Sequence, residues 1–149
     1  MGIAYDKPTV LQFQTNGSGA EGYLTVASLE QGVPFVIRRV FWTYFTPNNI
    51  TRGRHAHLET EMVIIAVHGR IRLMTEILSG ETFEFNLDKP TEGVYIPPLC
   101  WHVMEYSHDA VQMVLASTEY TPADYIRSYD TFRQLARQEE RTYPGHTPP

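Results

Sequence analysis

Arg52-Gly53-Arg54-His55-Ala56-His57, followed by the apolar run Thr60–Val67 and by Gly69, is the stretch on which the fold turns. In an extended strand, residues i and i+2 point to the same face. His55 and His57 are then neighbours on one wall, and Ala56 faces the other way. Two imidazoles on one wall can hold a metal together or divide proton-transfer work, because imidazole titrates near neutral pH. The plainer account of the same residues is a polar strand end left in solvent.

Outward from this stretch the chain reads as short strands between turns. On the C-terminal side, Arg70–Leu78 and Thr82–Leu87 are joined through Ser79-Gly80, a hairpin signal. Gly93–Ile96 is stopped by Pro97-Pro98, and Trp101–Tyr106 and Ala110–Ala116 complete the series. On the N-terminal side, Thr9–Phe13 and Gly22–Leu29 alternate, separated by a turn cluster at Thr15–Ala20. Pro34–Phe45 is long, aromatic and β-branched, the composition of a strand buried over much of its length. It contains Arg38 and Arg39, of which one must face inward. Turn signals about 8–12 residues apart predict an all-β sandwich or barrel.

The end of the chain changes character. Thr121-Pro122-Ala123-Asp124 has the form of a helix start: Thr as N-cap, Pro in the first turn and an acid after it. Tyr125, Tyr129, Phe132 and Leu135 form an apolar stripe that should dock on the barrel or on a second subunit. The segment from Pro144 to Pro149 is expected to be mobile, and His146 in it is given no role.

The chain has 149 residues, enough for one domain with a core, and a formal net charge of −5 with no long basic run. That balance argues against nucleic acid as a partner but leaves room for an anionic small ligand held by a few arginines. A single cysteine, Cys100, excludes an internal disulfide framework and fits the cytoplasm. No apolar run approaches the roughly 18 residues of a membrane span, and Met1–Lys7 lacks the pattern of a signal peptide.

The histidine pair, Gly69 and the later Pro97 and His102 resemble the two cupin motifs, His-x-His…Glu…Gly and Pro-x-Gly-x-x-His. The acidic position of the first falls on Met62, and Glu61 is one residue out of phase, so its side chain should point away from the pair. His55, His57 and His102 remain as a possible three-imidazole set.

A narrower group is similar over about residues 22 to 135, the nucleotide-sugar 3,4-ketoisomerases of the cupin superfamily (FdtA/QdtA and WxcM-like). Val33–Val40 resembles their "PFxIKRVYY" strand, and Arg52–His57 their "RGxHAH". Gly93–Pro98 with Trp101–Met104 resembles "GLYVPPxxWHxM", and Val114–Ser117 with Asp124–Phe132 resembles "VLAS…DYIRxYDxF". The chain departs from the pattern at Leu58, where the family has Lys, at Met62, where it has Gln, and at Phe41-Trp42, where it has a Tyr pair. An acid, Glu21, stands where the family often has Arg.

The resemblance implies a single cupin domain over residues 1–149, a double-stranded β-helix (jelly-roll) barrel at about 9–118 with a C-terminal α-helix at about 122–140. It implies an isomerase acting on dTDP-4-keto-6-deoxyglucose, with no metal, no redox cofactor, and a cytoplasmic homodimer that exchanges N-terminal strands. The product would feed deoxysugar synthesis for surface polysaccharide such as O-antigen or S-layer glycan. His55 and His57 are the expected proton-transfer pair, and His102 a sugar contact or proton shuttle. Arg52 is the first choice for the diphosphate, with Arg39 and Arg54 as other candidates, because guanidinium presents donors in a fixed fork. Tyr44 and Tyr95 are candidates for sugar or base contacts. Two other readings stand beside this one: a metal-dependent cupin with a three-histidine site, and a non-catalytic nucleotide-sugar-binding cupin.

Overall fold

The computed structural model describes residues 5–142. The expectation of a mobile segment at Pro144–Pro149 and the first four residues of the N-terminal reading lie outside it. Twelve strands and one helix follow in order: β1 (Thr9–Gln12), β2 (Gln14–Ser18), β3 (Gly22–Val26), β4 (Arg39–Tyr44), β5 (Thr51–His57), β6 (Met62–His68), β7 (Ile71–Ile77), β8 (Thr82–Leu87), β9 (Glu92–Ile96), β10 (Cys100–Tyr106), β11 (Val111–Ala116), β12 (Tyr125–Ile126) and α1 (Tyr129–Thr142). One sheet has the order β1-β9-β6-β11-β4 and the other β12-β5-β10-β7-β8, while β2 and β3 form a separate hairpin. The described pairings between strands are antiparallel, and the fold is the expected all-β jelly-roll barrel.

Alternation along the strands sorts side chains into three apolar clusters. Between the sheets lie Met62, Ile64, Ile71, Leu73, Leu87, Val94, Ile96, Met104, Tyr106 and Val114 with their neighbours. The opposite faces of β6, β9 and β11 carry Val63, Ile65, Tyr95 and Leu115, covered from outside by Leu11, Phe13, Val33 and Phe35. Helix α1 sets Phe132, with no solvent exposure, against Ala56 and Ile126, with Trp101 and Leu135 packed around them. The apolar stripe thus docks on the barrel, through Phe132 and Leu135.

Three expectations are corrected. The segment Thr15–Ser18 is strand rather than turn: β2 is exposed on both faces, and cross-strand pairing with β3, including a 2.9 Å Thr15–Thr25 hydroxyl bond, stands in for apolar alternation. The long strand at Pro34–Phe45 begins only at Arg39. Before it, Val33 and Phe35 turn into the outer cluster, and β4 itself is half-buried with Val40, Trp42 and Tyr44 exposed. Thr121 makes no side-chain cap; Pro122–Asp124 is a single 3-10 turn, β12 follows, and the helix starts at Tyr129. The helix is entered at Ser128, whose hydroxyl accepts the Thr131 N–H at 3.3 Å.

Candidate active site

Strand β5 owes its use to one irregularity. Gly53 has φ +84° and Arg54 φ +58°, and the register against β10 slips there: His55 faces His102, Gly53 faces Val103 and Arg52 faces Met104. Arg54 is therefore the extra residue of a bulge. Glycine is required at 53, because a Cβ would lie 2.6 Å from the His102 carbonyl oxygen. In a regular strand Arg52 and His55 would point to opposite faces. The extra residue puts Arg52 on the His55 side, opposite inward-facing Met104, and the Arg52 charge reaches Tyr106.

His55, His57 and His102 meet inside the barrel, with one nitrogen of each within 4.8 Å of the others. His57 and His102 are buried. Each ring spends its Nδ1 on a fixed acceptor: His55 Nδ1–H donates to the Gly53 carbonyl (3.1 Å), His102 Nδ1–H to the Cys100 carbonyl (3.0 Å), and His57 Nδ1–H to the Asp124 carboxylate (2.9 Å). That leaves each Nε2 as a lone pair turned to the cavity. Burial pushes His55 down to about 4, the neighbouring His57 adds to this, and the Gly53 bond opposes it. Burial likewise takes His102 down to about 3. His57 is also lowered by burial, but the hydrogen bond and charge of Asp124 oppose the shift, while Arg39 and Arg127 reinforce it. The cluster holds three neutral bases at pH 7, and only His57 has a carboxylate to stabilise its protonated form.

Asp124 itself is tightly held. It accepts from the Thr60 hydroxyl, which is in turn 2.6 Å from the Thr118 hydroxyl, and from the Glu59 N–H at 2.7 Å. Burial works to raise its pKa, yet these bonds and His57 outweigh that, and the carboxyl lies below its ordinary range. The Asp124 carbonyl takes the Leu58 N–H at 2.8 Å, and Tyr125 pairs with His57 across β12 and β5. The Tyr125 ring lies 4.4 Å from His57 and 5.0 Å from His55, centroid to centroid, and the Arg127 guanidinium carbon lies 4.3 Å from the Tyr125 centroid.

The remaining candidates divide by face. Arg39 starts β4 opposite Ala116, turns inward and affects His57. Arg54 turns back to the Thr51 hydroxyl on the outer side of β5 and does not join the histidines. Tyr95 is corrected: it faces the outer cluster, donates to Glu61 at 2.8 Å and packs on Tyr5 and Phe35. The same bond shows Glu61 turned away from the histidines, as its phase predicts. Tyr44 is also corrected, being exposed on the outer face of β4. Asp124, Tyr125 and Arg127 are site residues that the sequence reading does not mark, because the form Thr-Pro-x-Asp reads as a helix start.

Three imidazole nitrogens in this arrangement are a donor set that zinc or another divalent transition metal could use. The lone pairs a metal would take are those a proton would take. Among the described residues no carboxylate joins the set directly, and Asp124 acts through His57.

The profile of the family described as "FdtA: WxcM-like, C-terminal" matches residues 6–137. A TDP-4-oxo-6-deoxy-alpha-D-glucose-3,4-oxoisomerase of Aneurinibacillus thermoaerophilus is 38% identical over 117 residues, which cover 77% of this chain and 83% of that one. The sugar 3,4-ketoisomerase QdtA of Thermoanaerobacterium thermosaccharolyticum, solved with TDP, superposes with a TM-score of 0.84 at 30% identity, covering 91% of this chain and 98% of the other. A histidine-to-asparagine variant of that enzyme, solved with TDP-4-keto-6-deoxyglucose, gives 0.83 at 29%, covering 91% and 97%.

Proposed function

This chain belongs to the FdtA, WxcM-like C-terminal family, and from that premise we propose that it is a sugar 3,4-ketoisomerase acting on TDP-4-keto-6-deoxyglucose. The observation that carries the reading is the set of three inward imidazoles, one of them backed by a buried carboxylate. Moving a carbonyl from C4 to C3 needs a base that works near neutral pH and can return what it takes.

His57 takes the C3 proton on Nε2. The C3–H electron pair becomes the C3=C4 bond, and the carbonyl π pair moves to O4. The imidazolium formed is stabilised by Asp124, which also fixes the tautomer that leaves Nε2 open. His55, its ring 5.0 Å from that of His57, carries the hydroxyl proton from O3 to O4. The enediol pair then takes a proton from His57 at C4 while C3=O forms, so protons and electrons balance. His102, 4.6 Å from His55 ring to ring, completes the wall and contacts the sugar. Arg52 holds the diphosphate. It lies two β10 residues from the His55 position, about 7 Å, a distance that suits the far side of a pyranose from C4.

The chain acts as one domain and as a cytoplasmic homodimer, in synthesis of deoxysugars for O-antigen or S-layer glycan. Support for the dimer comes from Val40, Trp42 and Tyr44, exposed on the edge strand β4, and from Tyr23 and Leu24, exposed on the β2–β3 hairpin. A second copy's hairpin laid on β4 would cover both. No helix among the described residues is long and apolar enough to cross a membrane.

The test is proton NMR of TDP-4-keto-6-deoxyglucose with the purified protein in D2O. The 3-keto isomer with deuterium at C4 is expected. A folded protein that gives neither conversion nor exchange at C3 overturns the assignment for this substrate. The three-nitrogen cluster could also hold a divalent metal, and loss of turnover on chelation, restored by one metal per chain, is the result that would select metal-dependent catalysis instead.

A further inference from the structure

Arg39 is placed at some cost. The inner face of β4 carries it at the end of the strand opposite Ala116, which has no solvent exposure. Its guanidinium carbon lies 5.3 Å from the Phe41 ring centroid and 5.7 Å from that of Tyr120. Its Nε is buried with no hydrogen-bond partner among the described residues. The ion pairs among the described residues involve Lys7, His57, His68, Arg72 and Arg133, and none includes Arg39. A buried donor without a partner is rare in folded proteins and calls for an explanation. The aromatic rings hold the cation in place but satisfy none of its N–H groups.

Resting on the ketoisomerase reading, we infer that Arg39 is a catalytic residue that donates to the vicinal oxygens O3 and O4 as negative charge develops on them, and not a diphosphate contact. Two adjacent oxygens of an enediolate present acceptors at a spacing a guanidinium can meet bidentately, as it meets a carboxylate. Arg39 exchanges no proton; it lowers the energy of the charge that His57 creates at O4 and that passes to O3. The arginines then separate by position. Arg52 sits along β5 on the far side of His55 from His57, where the C1 substituent would lie. Arg39 sits at the reacting end: its guanidinium lies over Tyr120, whose ring is 5.8 Å from that of Tyr125, and Tyr125 packs on His57 at 4.4 Å, centroid to centroid.

The test compares wild type, R39K and R39A for turnover of TDP-4-keto-6-deoxyglucose, with TDP binding measured by calorimetry. TDP carries the diphosphate but no keto sugar. The expected result is a fall in kcat of about 10²- to 10³-fold, with TDP affinity held within about twofold. Added guanidinium ion should restore part of the R39A rate. Weakened TDP binding with kcat retained would make Arg39 a diphosphate contact, and unchanged kcat would remove it from the chemistry; either overturns the inference while wild-type turnover keeps the isomerase reading. Wild type without turnover would instead sink that reading, and the inference with it. If R39A fails to fold, R39K carries the same comparison, its retained TDP binding reporting the fold.

Discussion

Strand β5 and the segment Thr121–Ile126 lie side by side and supply the two ends of one hydrogen bond, but they are built by different means. β5 is gripped by β10 over most of its length, with one bulge that sets which side chains look inward. The other segment has a two-residue pairing and a single 3-10 turn, and it is pinned by polar side chains around Asp124. The sheet fixes where His57 is, and the pinned segment fixes which of its nitrogens is free and how readily that nitrogen holds a proton. Position and basicity are thus set by parts of the chain about 67 residues apart.

Asp124→Asn breaks the comparison most severely. The amide keeps the shape but removes the charge that supports the His57 imidazolium, and kcat should fall by about 10²-fold. Asp124 acts to raise the His57 pKa, so its loss should move the acid limb of the kcat/KM profile to lower pH. A variant that only loosened the segment would lower the rate without moving that limb.

The bulge can be tested through the two arginines that it separates. Arg52→Ala should raise KM by about tenfold, because Arg52 faces inward. Arg54→Ala should leave kcat and KM within about twofold, because its guanidinium turns back to Thr51. Steady-state kinetics on both variants checks this, and equal losses would mean that the register is not as described.

The smallest effect belongs to the outer face. Tyr95→Phe removes the bond to Glu61 and should cost about 1 kcal/mol in urea unfolding with kcat unchanged. A loss of turnover would place Tyr95 in the site despite its side of the sheet.

These contrasts follow what was legible in the chain. The all-β class can be read from strand alternation and turns, and the shared face of His55 and His57 from their i, i+2 spacing, because both patterns are local to single strands; His102, on β10, joins them only through the resemblance to the cupin motifs. The sequence reading prefers Arg52 to Arg54, but the bulge that turns one inward and the other outward is not legible, since φ > 0 at a non-glycine residue leaves no mark in composition. Tyr95 and Tyr44 sit on strands of the barrel wall, and only the covering N-terminal segment, or its absence, tells which side each faces. Asp124 is the least legible of the site residues. Thr-Pro-x-Asp is a sound helix-start pattern, and what overrides it is tertiary: Thr60, the Glu59 N–H and His57 draw the carboxylate inward and delay the helix to Tyr129.

The most direct test of the account is loss of the C3 proton to D2O in wild type and in His57→Asn, followed by NMR with TDP-4-keto-6-deoxyglucose bound to each. The account predicts that the variant binds the sugar nucleotide yet retains its C3–H, while wild type exchanges it and forms the 3-keto isomer. Exchange at C3 in His57→Asn at the wild-type rate would contradict it, and the base would have to be another group.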